Sequence, residues 1–260
     1  MEDSLAFERE RVKRFQERRL VDHYHLRPPY PPETFDILKG LITDEPRVVL
    51  DLGCGTGNIA RPLAAFVERV DAVDSSLAML ERARELAGGD DPRIRWIHGR
   101  AEDVALTPPY ALVTAGMSLH WMDWRRLLPR LARMLTPRGL LAILNLQQQA
   151  MPWQQEYRQL RRRFADGPPA LRPNLVAEFE QSGLFRQLGE RQTAPLLMQQ
   201  SIEDYIAAQY AYSSLAGLTD RQRAGFEREM WELLRPFAQG GRLSFEVVAT
   251  ITWGKPCCPD

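Results

Sequence analysis

Cysteine is scarce in this chain of 260 residues, with three copies, and histidine has only four. Cys54 stands alone in the interior, and Cys257 and Cys258 are neighbours near the C-terminus. No disulfide framework, CxxC pair or Cys/His zinc spacing results, and no metal is expected. Long apolar runs are also missing: the longest, Gly139–Leu146, is strand-sized and far short of the ~18–20 residues of a membrane span. An excess of one charge is lacking too. Lys and Arg number 34 against 34 Asp and Glu, which removes the basic surplus of nucleic-acid binders and of polybasic membrane-surface proteins. The opening residues MEDSLAFERE contain acids and no apolar stretch, so no leader is expected and a cytoplasmic protein is. Nothing chooses between monomer and dimer.

What is present alternates between strand and helix. An N-terminal helix is expected over 5–20 and a short one over 33–41, separated by a segment in which Pro28, Pro29, Pro31 and Pro32 forbid regular helix. Short β-branched runs then predict strands at 47–52, 69–74, 93–98, 110–115 and 139–146. Helical periods fall between them at 58–67, 76–87 and 123–135. That rhythm means βαβ units and an α/β, doubly wound, mostly parallel sheet. Beyond residue 150 the pattern changes to helices at 152–166, 172–182, 201–215 and 219–238, with strands at 185–198 and 242–253. Seven strands are thus expected, with a helical cap inserted among the C-terminal ones. The organisation reads as 1–45, helices and proline-rich lid; 46–150, nucleotide-binding core; 151–260, the part that completes the sheet and carries the cap.

The segment VVLDLGCGTGN is the most informative. Gly53, Gly55 and Gly57 follow a buried strand and precede a helix, where the backbone must turn sharply or approach a ligand. GxGxG is not the dinucleotide fingerprint GxGxxG, and no Lys follows to make a P-loop. Asp51, two residues before the first glycine, would repel a pyrophosphate and attract an ammonium.

VLDLGCGTG resembles motif I of class I S-adenosylmethionine-dependent methyltransferases. The likeness continues in order through VDAVDSSLAML, HGRAEDVAL and TPRGLL, over roughly residues 20–150. The resemblance implies S-adenosyl-L-methionine as cofactor, S-adenosyl-L-homocysteine as product, and a Rossmann-like fold. It implies that Asp51, Gly53, Cys54, Gly55 and Gly57 line the methionine and ribose side, and that Asp74 binds both ribose hydroxyls beside Ser75. Met79 would face adenine, and Ala101 and Glu102 would contact its edge. Arg100 departs from the family, which commonly has an acid there. TPRGLL corresponds to the turn that leads into strand five. The stretch HYHLRPPYP is similar to a segment that folds over the cofactor, with Tyr24, Arg27 and Tyr30 closing the methionine end; Arg27 paired with a surface acid is the plain alternative.

Residues TAGMSLHWMDW resemble the stretch after strand four in trans-aconitate and malonyl-carrier-protein methyltransferases. Carbonyls near Ala115 would accept from the cofactor's ammonium. His120 is a candidate general base for a hydroxyl acceptor, since imidazole titrates near neutral pH; packing against Trp121 is its other reading. A small-molecule acceptor methylated at oxygen, carboxylate or hydroxyl, is expected. N- or C-methylation and a non-catalytic S-adenosylmethionine-binding protein remain as alternatives. A basic helix face of Arg158, Arg161, Arg162 and Arg163 is read mainly as solvated surface.

Overall fold

The computed structural model describes residues 18–165 and 175–258. The expected helix over 5–20 falls almost wholly outside the described residues. The chain divides into two compact units: Tyr30–Leu146 with Leu171–Ala194 and Val248–Asp260, and Met1–Pro29 with Gln147–Ala170 and Pro195–Val247.

The larger unit carries most of the sheet; the strand Leu196–Ser201 and the residues Arg242–Val247 paired with it belong to the other. Strands β1 (Val48–Leu52), β2 (Arg69–Asp74), β3 (Ile94–His98), β4 (Tyr110–Gly116) and β5 (Leu135–Gln149) are joined to β6 (Phe185–Gln192), β7 (Leu196–Ser201) and β8 (Arg242–Pro256) in the order β3-β2-β1-β4-β5-β8-β6, with β7 on β8. The pairings from β3 to β5 are parallel. Those of β6 and β7 with β8 are antiparallel. All five residues of β1 are buried, as a central strand covered on both faces requires. Helices in this unit are short: α1 (Glu33–Leu41), α2 (Ala60–Ala64), α3 (Leu77–Glu85), α4 (Trp124–Ala132) and α5 (Leu175–Gln181). α3 starts at Ser76, whose side chain accepts from the Met79 amide. α4 starts likewise at Asp123 and runs through Pro129. One core cluster packs Leu63, Val70 and Leu80 with Leu112 and Leu144; another packs Leu50, Val113, Leu127 and Leu141 with Phe179.

Two strand expectations need correction. The turn at TPRG is swallowed by β5, which starts at Leu135: Tyr110 pairs Leu135 and Leu112 pairs Leu140, so the extra residues bulge out. Asp44 fixes that bulge by accepting from the Arg138 amide at 2.7 Å. The single bent strand over 185–198 is two strands. Pro195 has no N–H for a ladder, and the Ala194 amide turns to the Glu33 carboxylate at 2.7 Å.

The other unit is mainly helical: α6 (Gln154–Phe164), α7 (Ile202–Ala208), α8 (Ser213–Ala216) and α9 (Asp220–Leu234), with single 3₁₀ turns at Tyr24–Leu26, Gln209–Ala211 and Arg235–Phe237. The expected helix over 201–215 is therefore broken after Ala208. The one over 219–238 ends at Leu234, just before Pro236. Thr219 caps α9 in a reciprocal pair with Gln222. Trp153, Tyr205 and Phe245 form the aromatic centre of this unit.

Candidate functional site

The loop between β1 and α2 adopts positive φ at Gly53 (62°), Gly55 (54°) and Gly57 (78°), a region that side chains with a Cβ rarely occupy. It is held from both ends. The Gly55 amide donates to Asp74 Oδ2 at 2.8 Å, and the Ser76 amide to Asp74 Oδ1 at 2.8 Å. The Cys54 amide donates to the Val73 carbonyl at 3.0 Å. Asp74, at the end of β2, thus organises the glycine loop and the start of α3 together. Burial raises its pKa despite those amides. The Cys54 thiol is raised well above its usual value, first by burial and then by the charges of Asp74 and Asp51.

Asp51 lies on β1 and is 1% exposed. Its Oδ1 accepts from the Thr114 hydroxyl on β4 at 2.8 Å. Oδ2 is buried without a formed hydrogen bond among the described residues. Burial pushes this carboxyl up to about 7, with the Thr114 hydroxyl and the Ala60 amide only partly opposing it. A buried carboxylate oxygen without a well-formed hydrogen bond costs stability, and a cationic ligand group nearby would add a favourable interaction.

The end of β4 closes around the same loop. Ser118 donates to the Leu52 carbonyl at 2.7 Å, and a Cβ on Gly53 would stand 2.5 Å from that of Ser118. Gly116 has no room for a side chain either, because the Tyr30 hydroxyl and Ile59 occupy the space. Met117 follows with φ 54°, a conformation costing about 1–3 kcal/mol in a non-glycine residue and concentrated at functional sites. Its amide donates to Leu144 O at 3.0 Å, and its sulfur accepts from the Leu146 amide. Asp51, Asp74 and Ala115 therefore stand with the Gly53 and Gly55 loop at the carboxyl ends of β1, β2 and β4, where ligands of doubly wound sheets bind, and Tyr30 reaches the same end at Gly116.

A methyltransferase-domain family model matches residues 49–139, the stretch that carries these loops. The chain is similar to a trans-aconitate 2-methyltransferase of Klebsiella pneumoniae, 31% identical over 212 residues, covering 76% of this chain and 81% of that protein. It belongs to the class I S-adenosylmethionine-dependent methyltransferases. A malonyl-[acyl-carrier protein] O-methyltransferase of Halalkalibacterium halodurans is 36% identical over 105 residues, 38% of either chain. Among solved structures, a proposed type II methyltransferase from Anaeromyxobacter dehalogenans shares the fold, with a TM-score of 0.67 at 23% identity over 90% of this chain and 99% of that one.

The remaining expected residues of this methyltransferase are placed less uniformly. Met79 is 1% exposed and part of the core at the first turn of α3. Ser75 offers its carbonyl to His98 Nε2 at 3.2 Å. Ala101 is buried, and its carbonyl is taken by Arg130 at 2.6 Å. Glu102 Oε1 accepts from the Asp123 amide at 2.7 Å and from Arg100 at 3.3 Å. Burial opposes its ionisation, yet those bonds outweigh burial and hold its pKa low. Arg100, which departs from the family pattern, is thus spent on Glu102. His120 sits in a single 3₁₀ turn, Leu119–Trp121, with its ring 4.9 Å from that of Trp121. Tyr24 and Arg27 fall in the helical unit, where Arg27 donates to the Tyr24 hydroxyl at 3.3 Å and lies 4.6 Å from the Tyr212 ring centroid.

Three residues that shape the site carry no mark in the sequence. Ser118 is one. Arg61 is another: it donates to the Thr56 carbonyl at 3.1 Å, to Asn58 at 3.1 Å and to the Ala87 carbonyl at 2.9 Å, bracing the glycine loop against the end of α3. The third is Arg130, which also bonds the Val104 carbonyl and so fixes the segment after β3. Only long-range packing reveals them. Among the described residues no group of three or more His, Cys, Asp or Glu could hold a metal ion, and no helix is long and apolar enough to cross a membrane.

Proposed function

We propose that this methyltransferase transfers the methyl group of S-adenosylmethionine to a carboxylate oxygen of a small organic acid. The observation that carries the cofactor reading is Asp74, locked by the Gly55 and Ser76 amides at 2.8 Å with its carboxylate at the end of β2, the position from which an acid meets ribose hydroxyls. The orphaned Oδ2 of Asp51 fits an ammonium on the methionine side. Gly53, Gly55 and Gly57 leave the backbone bare for close approach, with Ser75, Ala101, Glu102 and Ala115 on the surrounding loops.

S-adenosylmethionine supplies an electrophilic methyl carbon on a sulfonium. The chain's task is to hold the acceptor oxygen ~3–3.5 Å from that carbon and in line with the leaving sulfur. Two relatives bear names that specify acids as acceptors, trans-aconitate and a malonyl thioester, and this supports an acid here. A carboxylate is ionised at neutral pH, with a pKa of about 4, so no proton has to be removed. His120 then orients the acceptor rather than acting as a base. Mass spectrometry of reactions with aliphatic di- and tricarboxylates, phenols and amines tests this reading. Methyl esters of the acids are expected, and methylation of phenols or amines alone would replace it.

A further inference from the structure

The glycine loop is clamped at Gly55 by Asp74, and a second support stands beside Gly57. Trp96 on β3 is half-buried and packs against the core cluster of Leu63, Val70 and Leu80. A Cβ built on Gly57 would stand 2.4 Å from Trp96 Cη2 and 3.1 Å from Cζ3. The outer edge of the indole therefore fills the space that a side chain at 57 would need. At its other edge the same ring donates from Nε1 to the Gly89 carbonyl at 2.9 Å. Gly89 belongs to the loop that follows α3, and its amide closes a turn on the Leu86 carbonyl at 2.8 Å.

An indole N–H inside a protein seeks an acceptor, and the rigid ring turns about only two side-chain torsions. With both edges engaged, Trp96 is a fixed spacer between Gly57 and Gly89. Arg61 bridges the same gap from α2, through its bonds to Thr56, Asn58 and Ala87, and its Cγ would lie 3.3 Å from the same Cβ. Gly57 is also where the loop becomes helix. Its amide donates to the Cys54 carbonyl at 2.8 Å, and its carbonyl accepts from the Arg61 amide at 3.0 Å. A shift of Gly57 thus moves the last turn of the loop and the first turn of α2 together. Binding groups have to be held within about 0.5 Å by packed supporting residues, and Trp96 stands in that supporting place.

We infer that Trp96 is a positioning residue for the cofactor: it holds Gly57 in place and, through Gly89, couples the glycine loop to the segment after α3. The inference rests on the reading of that loop as the S-adenosylmethionine site. The role does not require Trp96 to touch the ligand. A tryptophan that only filled the core would set stability and leave residues 87–90 indifferent to the cofactor.

The test is amide hydrogen exchange with and without S-adenosylhomocysteine, beside calorimetric titration of the same ligand. In the wild type, binding is expected to slow exchange at 55–58 and also at 87–90, a comparison that stands whichever variant folds. Trp96→Phe keeps an aromatic ring in the core, removes the indole N–H and shortens the reach to Gly57. It is expected to bind about fivefold more weakly, the worth of one hydrogen bond. Under saturating ligand it should keep the protection at 55–58 and lose most of that at 87–90. Trp96→Tyr, with a longer ring than Phe, should fall between. Unchanged exchange at 87–90 in the ligand-bound wild type overturns the positioning role while the cofactor reading stands. So does undiminished affinity in Trp96→Phe, or protection at 87–90 that this variant leaves intact. Failure of the wild type to bind S-adenosylhomocysteine at all would overturn the cofactor reading and the role with it.

Discussion

Asp74 accepts the Gly55 amide at 2.8 Å across nineteen residues of chain, so the acid of the second strand and the loop of the first are one device. Asp74→Ala removes both the ribose acceptor and the clamp on the loop. S-adenosylhomocysteine affinity should fall by more than about tenfold, ~1.4 kcal/mol, measured by calorimetry. Unchanged affinity would take Asp74 out of the site.

Asp51 sets a pH dependence. Its carboxyl is pushed up to about 7 by burial, so below that pH the free protein holds it neutral. A ligand ammonium favours the ionised form and must expel the proton. Affinity for S-adenosylhomocysteine should therefore rise from pH 6 towards neutrality and level off above the pKa of the free protein. Asp51→Asn should bind more weakly and lose this slope. A wild-type profile as flat as that of the variant would separate Asp51 from the ammonium.

Gly116 and Tyr30 make a steric pair. Gly116→Ala drives a methyl group into the Tyr30 hydroxyl and Ile59, an overpacking worth about 1–3 kcal/mol of stability. Thermal denaturation should show the loss, and adding Tyr30→Phe should recover part of it. No recovery would mean that Ile59 alone sets the limit.

Arg61 acts through the loop. Arg61→Met should lower cofactor affinity about fivefold, the equivalent of one hydrogen bond of about 1 kcal/mol, the rest of the loss falling on the stability of the free loop. Amide exchange should quicken at 56–58. Weakened binding with unchanged exchange there would argue against bracing.

His120→Ala should leave S-adenosylhomocysteine affinity unchanged and slow turnover on an acid by less than about tenfold, below the usual worth of a general base. A larger loss that follows the fraction of neutral imidazole would make His120 a base and point to a hydroxyl acceptor.

What the sequence made legible was local. Strands β1 to β4 lie within a residue or so of their expected ends, because each is a short β-branched run bounded by turn residues. The GxGxG loop was visible because positive φ at Gly53, Gly55 and Gly57 demands glycine. Misread stretches depended on distant partners. Pro195 alone does not announce that Glu33 takes the Ala194 amide, and TPRG looked like a free turn because its anchor, Asp44, is 94 residues away. Arg161 was indistinguishable from Arg158 and Arg162 in a basic run, since only the fold brings it, and not them, to the Ser214 hydroxyl. Ser118 was legible only as a loop residue, because its acceptor is a backbone carbonyl 66 positions earlier.

The burial of Cys54 gives the protein an internal clock for its own loop. Thiolates, not thiols, react with alkylating reagents, and this thiol is both covered and held protonated, whereas Cys258 is exposed. Modification of Cys258 and of the half-buried Cys257 should come first, and Cys54 should then react only as often as the glycine loop swings open. The slow phase of a labelling trace thus counts those openings in the native enzyme, without a probe being added, and its lengthening on adding S-adenosylhomocysteine would time how firmly the ligand shuts the loop.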